Sequence, residues 1–295
     1  MDGRFRGTYT ALVTPFKDEA IDHAGMEALV ERQIAAGIDG VVPCGSTGES
    51  ATLSHAEQHE LIQGVVLHVG GRCKVLAGTG SNCTDAAVAM TREAESSGAD
   101  GALVVTPYYN RPTQEGLFRH YAAIAESTSL PIVLYNVPAR CSVDLANETV
   151  LRLRERFRNI VAIKDASGGT DRVTELVTRS DIDVLSGDDE HTLAMMALGA
   201  RGVISVMSNL APAWMKSLVD AAAAGAFDSA REWHGRVAAL IRAIGRLGPN
   251  PIPIKTALAV RGLIREEFRL PLCPMEARDR NVVVEALKRL EVPAG

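Results

Sequence analysis

Lys164 closes the run Asn159-Ile160-Val161-Ala162-Ile163-Lys164, a charged residue at the end of apolar and β-branched ones. Such a run reads as a fully buried strand of a parallel sheet. An ammonium at its end must reach water, meet a carboxylate or shed its proton. Burial disfavours the charged form, and a neutral lysine amine is a nucleophile that forms a Schiff base with a carbonyl. The plain alternative is a lysine that snorkels to solvent. The next residue, Asp165, would oppose loss of the proton if it shared the surroundings of Lys164. Strand alternation points it to the opposite face.

Other reactive side chains follow apolar runs in the same manner. Gly45-Ser46-Thr47-Gly48-Glu49-Ser50, Thr106-Pro107-Tyr108-Tyr109-Asn110-Arg111-Pro112, Leu134-Tyr135-Asn136-Val137-Pro138-Ala139-Arg140 and Ser186-Gly187-Asp188 each stand just past a strand-like stretch. Each has a bland explanation: a packing tyrosine, a solvated arginine, a simple turn. Their coincidence on one rim would require all of those explanations at once. Competing motifs are weak. Gly78-Thr79-Gly80-Ser81-Asn82-Cys83 lacks the third glycine of a dinucleotide fingerprint. His55 and His59 are spaced as metal ligands on a helix, but the residue order is not His-Glu-x-x-His, so no metal is expected there. Asp188-Asp189-Glu190 reads as the capping, charged start of a helix Thr192–Leu198.

The elements that must position these groups alternate strand and helix. Strands are predicted at Tyr9–Thr14, Gly40–Pro43, Lys74–Gly78, Ala102–Thr106, Ile132–Asn136, Ile160–Lys164, Val184–Ser186 and Gly202–Val206. Their starts fall about 20 to 35 residues apart, the size of a βα unit. Helices are predicted at Ala24–Ala36, Ala56–Val69, Thr84–Ser97, Leu117–Ser127 and Ala146–Phe157. Ser54 marks a helix start, and Gly37, Gly98 and Gly199 stand where glycine ends one. Eight such units close into a (β/α)8 TIM barrel, whose catalytic groups lie at the C-terminal ends of the strands. We expect the barrel over residues 1–225 and a C-terminal helical extension over 226–295. Beyond the last strand the predicted helices are Pro212–Ala224, Phe227–Leu247, Ile254–Arg261 and Arg280–Leu290. A doubly wound sheet is the alternative architecture.

The 295 residues are 46% hydrophobic and 23% charged, as in a globular protein, and the net charge of -5 argues against nucleic-acid or anionic-membrane partners. No apolar run approaches the roughly 18 residues of a membrane span. The start, Met1-Asp2-Gly3-Arg4-Phe5-Arg6-Gly7, does not read as a signal peptide. Cys44, Cys73, Cys83, Cys141 and Cys273 are odd in number and scattered, which favours reduced thiols in a cytoplasmic protein. Each is expected to be a small buried core residue.

Taken in order, the four rim segments, Ile163-Lys164-Asp165-Ala166-Ser167-Gly168 and Pro249-Asn250-Pro251-Ile252-Pro253-Ile254-Lys255 resemble the 4-hydroxy-tetrahydrodipicolinate synthase family. That family is a Schiff-base lyase of lysine and diaminopimelate biosynthesis, within the class I pyruvate-aldolase superfamily. The resemblance implies no cofactor and no metal. It implies that Lys164 forms an imine with pyruvate, whose enamine attacks aspartate 4-semialdehyde. Tyr135 would move protons beside the imine, linked through Ser46 to Tyr109 from a neighbouring subunit. Thr47 would hold the pyruvate carboxylate, the backbone at Gly187 and Ile204 would line the pocket, and Arg140 would bind the semialdehyde carboxylate. It also implies a homotetramer built as a dimer of dimers. A pyruvate-dependent sugar-acid aldolase, such as a neuraminate or keto-deoxy-gluconate lyase, is the competing activity. A non-catalytic sensor of pyruvate-like ligands is the competing class. Ser46 replaces the threonine usual in the synthases, and Cys141-Ser142 replaces a Thr-Gly pair. Lysine-effector positions of the family fall on Ser50, Ala51, His55, Gln58, Asn82, Ala86 and Tyr108. Gln58 stands for the usual histidine and Ala86 for a glutamate that pairs with the effector ammonium. Weak inhibition by lysine is the expected consequence, unless Asp85 compensates.

Overall fold

The computed structural model describes residues 5–292. Met1–Arg4 and residues 293–295, at the outer ends of the expected barrel and extension, lie outside the described residues. Among the described residues ten strands occur: β1 (Gly7–Ala11), β2 (Phe16–Lys17), β3 (Ala20–Ile21), β4 (Gly40–Val42), β5 (Lys74–Gly78), β6 (Gly101–Val105), β7 (Ile132–Asn136), β8 (Ile160–Asp165), β9 (Asp183–Ser186) and β10 (Gly202–Ser205). Eight form a closed barrel in the order β1-β10-β9-β8-β7-β6-β5-β4, and β1 pairs with β4 to close it. All the barrel pairings are parallel. The expected (β/α)8 barrel with its helical extension is therefore the architecture.

Alternation along the strands divides the core in two. One apolar cluster fills the barrel, with Phe5, Tyr9, Val42, Leu76, Leu103, Val133, Ala162, Leu185 and Ile204. The other lies between strands and helices, with Val41, Val75, Leu134, Ile163 and Val184 on the sheet side. Two aromatic side chains plug the N-terminal end of the barrel. The Phe5 and Tyr9 rings meet edge-on at 5.8 Å. They fit because Gly40 and Gly101 carry no Cβ: one built there would lie 2.3 Å from the Tyr9 ring and 2.4 Å from the Phe5 ring. The bulky plug at the bottom leaves open space for the C-terminal rim.

β7 and β8 pair with one irregularity. Ile132 pairs with Ile160, but Val133 pairs with Ala162, so Val161 is an extra residue. Above it Tyr135 pairs with Lys164 and Asn136 with Asp165.

Most predicted helices are present with ends shifted by up to three residues, among them His23–Ala35, His55–Val69, Thr84–Ser96, Gln114–Ser127 and Asn147–Arg156. Ser54 caps its helix through a reciprocal pair with Glu57. Gly37, Gly98 and Gly199 adopt positive φ at helix ends, as expected. Three elements were not expected. The β2–β3 hairpin follows β1. Helix Asp171–Arg179 buries only Val173 and Leu176, too thin an apolar stripe to stand out in sequence. Pro138–Cys141 forms a single helical turn that carries Arg140.

Two expectations are corrected. All five cysteines are free, but only Cys44 and Cys141 are buried; Cys83 and Cys273 are exposed because they lie in loops rather than in the core. The acidic run does not cap the helix Thr192–Ala197, whose N-cap is His191 with no side-chain bond. Asp189 instead accepts the backbone N–H groups of Val206 and Met207, fastening the end of β10. Asp188 accepts from the backbone of Glu190 and pairs with His191.

After β10 come helices Pro212–Ala223, Phe227–Ile244, Ile252–Val260 and Ala277–Arg289. They bring the segment around Asn250 across the rim of the barrel. No helix among the described residues is long and apolar enough to cross a membrane.

Candidate active site

Lys164 points into the barrel. Its neighbours Ile163 and Asp165 face the helices, and Lys164 itself is only 5% exposed. Its ammonium nitrogen lies 4.2 Å from the centroid of the Tyr135 ring, a pairing set by the β7–β8 register. Asp165 is occupied on the far side of the strand. It pairs with Arg172 at 3.2 Å and accepts hydrogen bonds from Asn136 at 3.1 Å and Ser167 at 2.8 Å. The adjacent carboxylate is thus bound to other partners, as strand alternation required.

A cleft of about 320 Å³ opens above Lys164 at the C-terminal end of the barrel. Ser46, Thr47, Tyr135, Arg140, Lys164, Gly187 and Asn250 all reach it. Ser46 and Thr47 lie on the turn Ser46–Gly48 after β4. The Thr47 hydroxyl accepts a hydrogen bond from the Asn250 side chain at 2.9 Å. Arg140 donates to the Asn250 carbonyl at 3.0 Å while its guanidinium remains exposed to the cleft. Gly187 begins the turn after β9. A Cβ there would come within 3.0 Å of Lys164 Cε, so a glycine leaves the lysine its path.

Not every expected residue reaches the cleft. Ile204 is fully buried in the barrel interior, and β10 is followed at the cleft wall by Val206 and Met207. Tyr109 is 90% exposed and does not line the cleft of its own chain. It has a φ of 74°, unusual for a residue with a bulky side chain. The positions expected to bind a lysine effector do not line the cleft. His55 bonds Glu93 at 2.7 Å, and Asn82 offers its carbonyl to Asn110. Gln58 turns inward to the carbonyls of Ser50 and Leu53. Ser50 and Ala86 are half-buried, and Ala51 and Tyr108 are exposed. His59 lies 3.9 Å from the same Glu93, and no group of metal-ligating side chains occurs among the described residues.

Asn250 is a polar cleft residue to which sequence reasoning gave no role. Its place in Pro249-Asn250-Pro251, inside one of the resembling segments, was the available signal.

Comparisons with known proteins agree with this fold. A model of the dihydrodipicolinate synthetase family matches residues 4–290. The chain belongs to that family. It is 48% identical over 290 residues to the 4-hydroxy-tetrahydrodipicolinate synthase of Geotalea daltonii, covering 98% of this chain and 99% of the relative. A synthase of Methanocaldococcus jannaschii is 46% identical over 286 residues, covering 97% and 99%. Among solved structures, the synthase of Methylacidiphilum fumariolicum superposes with a TM-score of 0.95 at 49% identity, covering 98% of this chain and 96% of that one. The dihydrodipicolinate synthase of Aquifex aeolicus gives 0.96 at 44% identity, covering 98% and 99%.

Proposed function

We propose that this family member condenses pyruvate with aspartate 4-semialdehyde, giving 4-hydroxy-tetrahydrodipicolinate, through an imine on Lys164. The observation that carries the reading is Lys164 itself: an inward, nearly buried amine beneath Tyr135, at the floor of a cleft that also holds Thr47 and Arg140. A lysine amine in such a position is a nucleophile for a ketone carbonyl. The amine adds to the ketone carbon of pyruvate and water leaves as the C=N bond forms. A methyl proton is then lost and the enamine results. Its terminal carbon attacks the aldehyde carbon, making the new C–C bond. The amino group of the second substrate displaces Lys164 from the imine carbon, closing the ring and freeing the lysine.

Tyr135 carries protons at the imine, and Ser46, which lines the same cleft, links it onward. Thr47 receives the pyruvate carboxylate through hydroxyl and backbone. Arg140 takes the second carboxylate in a planar, charge-assisted pairing. Gly187 lines the pocket next to Lys164, and Ile204 supports its floor from below. Tyr109, exposed on its own chain, completes the proton path in the site of a neighbouring subunit. The assembly is a homotetramer made of such pairs, in the cytoplasm, with neither metal nor cofactor in the reaction.

Borohydride added with pyruvate tests the mechanism. The expected result is a reduced covalent adduct located on Lys164 by peptide mass spectrometry, and none in Lys164→Ala. An unmodified Lys164 overturns the imine. A panel of aldehydes and sugar acids then tests the substrate. Turnover of a sugar acid in place of aspartate 4-semialdehyde would make the chain an aldolase of the sibling type.

A further inference from the structure

Lys255 is a fully buried lysine that the imine chemistry does not use. It lies on the helix Ile252–Val260 of the C-terminal extension. Its ammonium sits 2.5 Å from one carboxylate oxygen of Glu49, whose side chain is also fully buried. The rings of Phe16 and Phe268 face the same ammonium at 4.4 and 4.8 Å. Burial pulls the Lys255 pKa below its usual value, and the Glu49 charge works against that shift. The second Glu49 oxygen accepts the backbone N–H of Arg269 at 3.2 Å. Both ends of the carboxylate are therefore tied to the extension.

Glu49 stands two residues after Thr47, in a left-handed conformation that ends the turn Ser46–Gly48. The same turn is held from the barrel side, where the Thr14 hydroxyl donates to the Gly48 carbonyl at 2.7 Å. It is held again from the extension by the Asn250–Thr47 hydrogen bond. A buried ion pair is weak evidence of stabilisation, because apolar residues of similar volume often serve a fold equally well. Its fixed length and direction are what an apolar contact does not supply.

We propose that the Glu49–Lys255 ion pair positions the Ser46–Thr47 turn, so that the turn is set to receive the carboxylate of the keto-acid substrate. This rests on the reading that Thr47 binds that carboxylate. Glu49 and Lys255 act through the turn and touch no reacting atom. The C-terminal extension thereby becomes part of the binding apparatus of the barrel.

The test uses the full-length, assembled enzyme with Glu49→Gln and with the paired apolar replacement Glu49→Leu/Lys255→Met. Thermal midpoint, pyruvate KM, kcat and borohydride trapping on Lys164 are measured for each. The paired variant is expected to keep a thermal midpoint near that of the unaltered enzyme. Its pyruvate KM should rise about tenfold or more, with kcat changed by less than about threefold, the pattern of lost binding that is shared by ground and transition states. Trapping at saturating pyruvate should persist. A paired variant with an unaltered pyruvate KM overturns the proposal and leaves the pair a packing element. Glu49→Gln carries the test independently: a raised pyruvate KM at a temperature where the variant is folded supports positioning, and an unaltered KM refutes it. Failure of the underlying reading looks different, since then Thr47→Val, with Glu49 and Lys255 intact, would itself leave the pyruvate KM unaltered.

Discussion

Gly187→Ala should slow imine formation without touching any reactive group. The added Cβ would lie 2.9 Å from Ala166 Cβ, 3.0 Å from Lys164 Cε and 3.1 Å from the Asp165 carbonyl oxygen. Carbon atoms rest about 3.5–4.0 Å apart, so the methyl group intrudes by roughly half an ångström or more on several sides. Two of the three neighbours belong to the backbone or to a one-carbon side chain of β8 and its following turn. The flexible neighbour is Lys164, which must move its terminal carbons away from the pocket. Overpacking of this kind typically costs about 1–3 kcal/mol, and if the reactive pose bears it, the rate falls by about 5- to 150-fold. Quenching a pyruvate reaction with borohydride at successive times, then weighing the intact protein, gives the rate of adduct formation directly. A thermal midpoint on the same sample reports how much of the strain goes into the fold instead. Adduct formation at the unaltered rate in a folded G187A enzyme would refute the placement of Lys164 beneath this turn.

Arg140→Ala should raise KM for the aldehyde substrate by about 10- to 150-fold, the equivalent of a lost charge-assisted hydrogen bond of about 1.5–3 kcal/mol, with pyruvate trapping intact; unchanged aldehyde kinetics would remove Arg140 from recognition. His120 is buried with Thr84 against one ring nitrogen, and burial lowers its pKa from 6.5 to about 4. Between those values the unfolded chain binds a proton that the folded one refuses, so stability falls as pH drops from 6.5 toward 4 and this contribution levels off below. The full effect is roughly 3 kcal/mol, and urea midpoints across that window should be flatter in H120N than in the unaltered protein. Glu57 acts lower, because Arg269 holds its carboxyl down to about 2; its favourable contribution is lost as pH falls from 4.5 toward that value. Lysine should inhibit only weakly, since Gln58 is committed to the Ser50 and Leu53 carbonyls and Ala86 supplies no carboxylate. A low-micromolar inhibition curve would contradict this.

The barrel was legible because its order is written locally. Short, largely apolar runs mark β5, β7 and β8 to within one residue. Lys164, Tyr135 and the Ser46–Thr47 turn were legible for the same reason, since each follows such a run. Glu49 and Lys255 were not. Within its helix Lys255 looks like one solvated residue among apolar ones, and the partner that buries it is 206 positions away in the chain. Asp188 and Asp189 were misjudged on the same ground. An acidic pair before a helix is a local capping signal, whereas the groups that claim Asp189 lie beyond the next strand, at Val206 and Met207. The β2–β3 hairpin has only two residues per strand, too few to show alternation.

The extra residue at Val161 gives the β7–β8 seam two phases. Below it, Ile132 sits opposite Ile160; above it, every partner is displaced by one position. Run without that slip, the seam would set Tyr135 against Ile163 and Asn136 against Lys164. Phenol and amine would then no longer share one inward row. The lower barrel answers to close packing and the rim answers to chemistry, and a single unpaired residue lets each half keep its own alignment. Substitutions that repack the lower half of this seam can therefore leave the pairing of Tyr135 with Lys164 untouched.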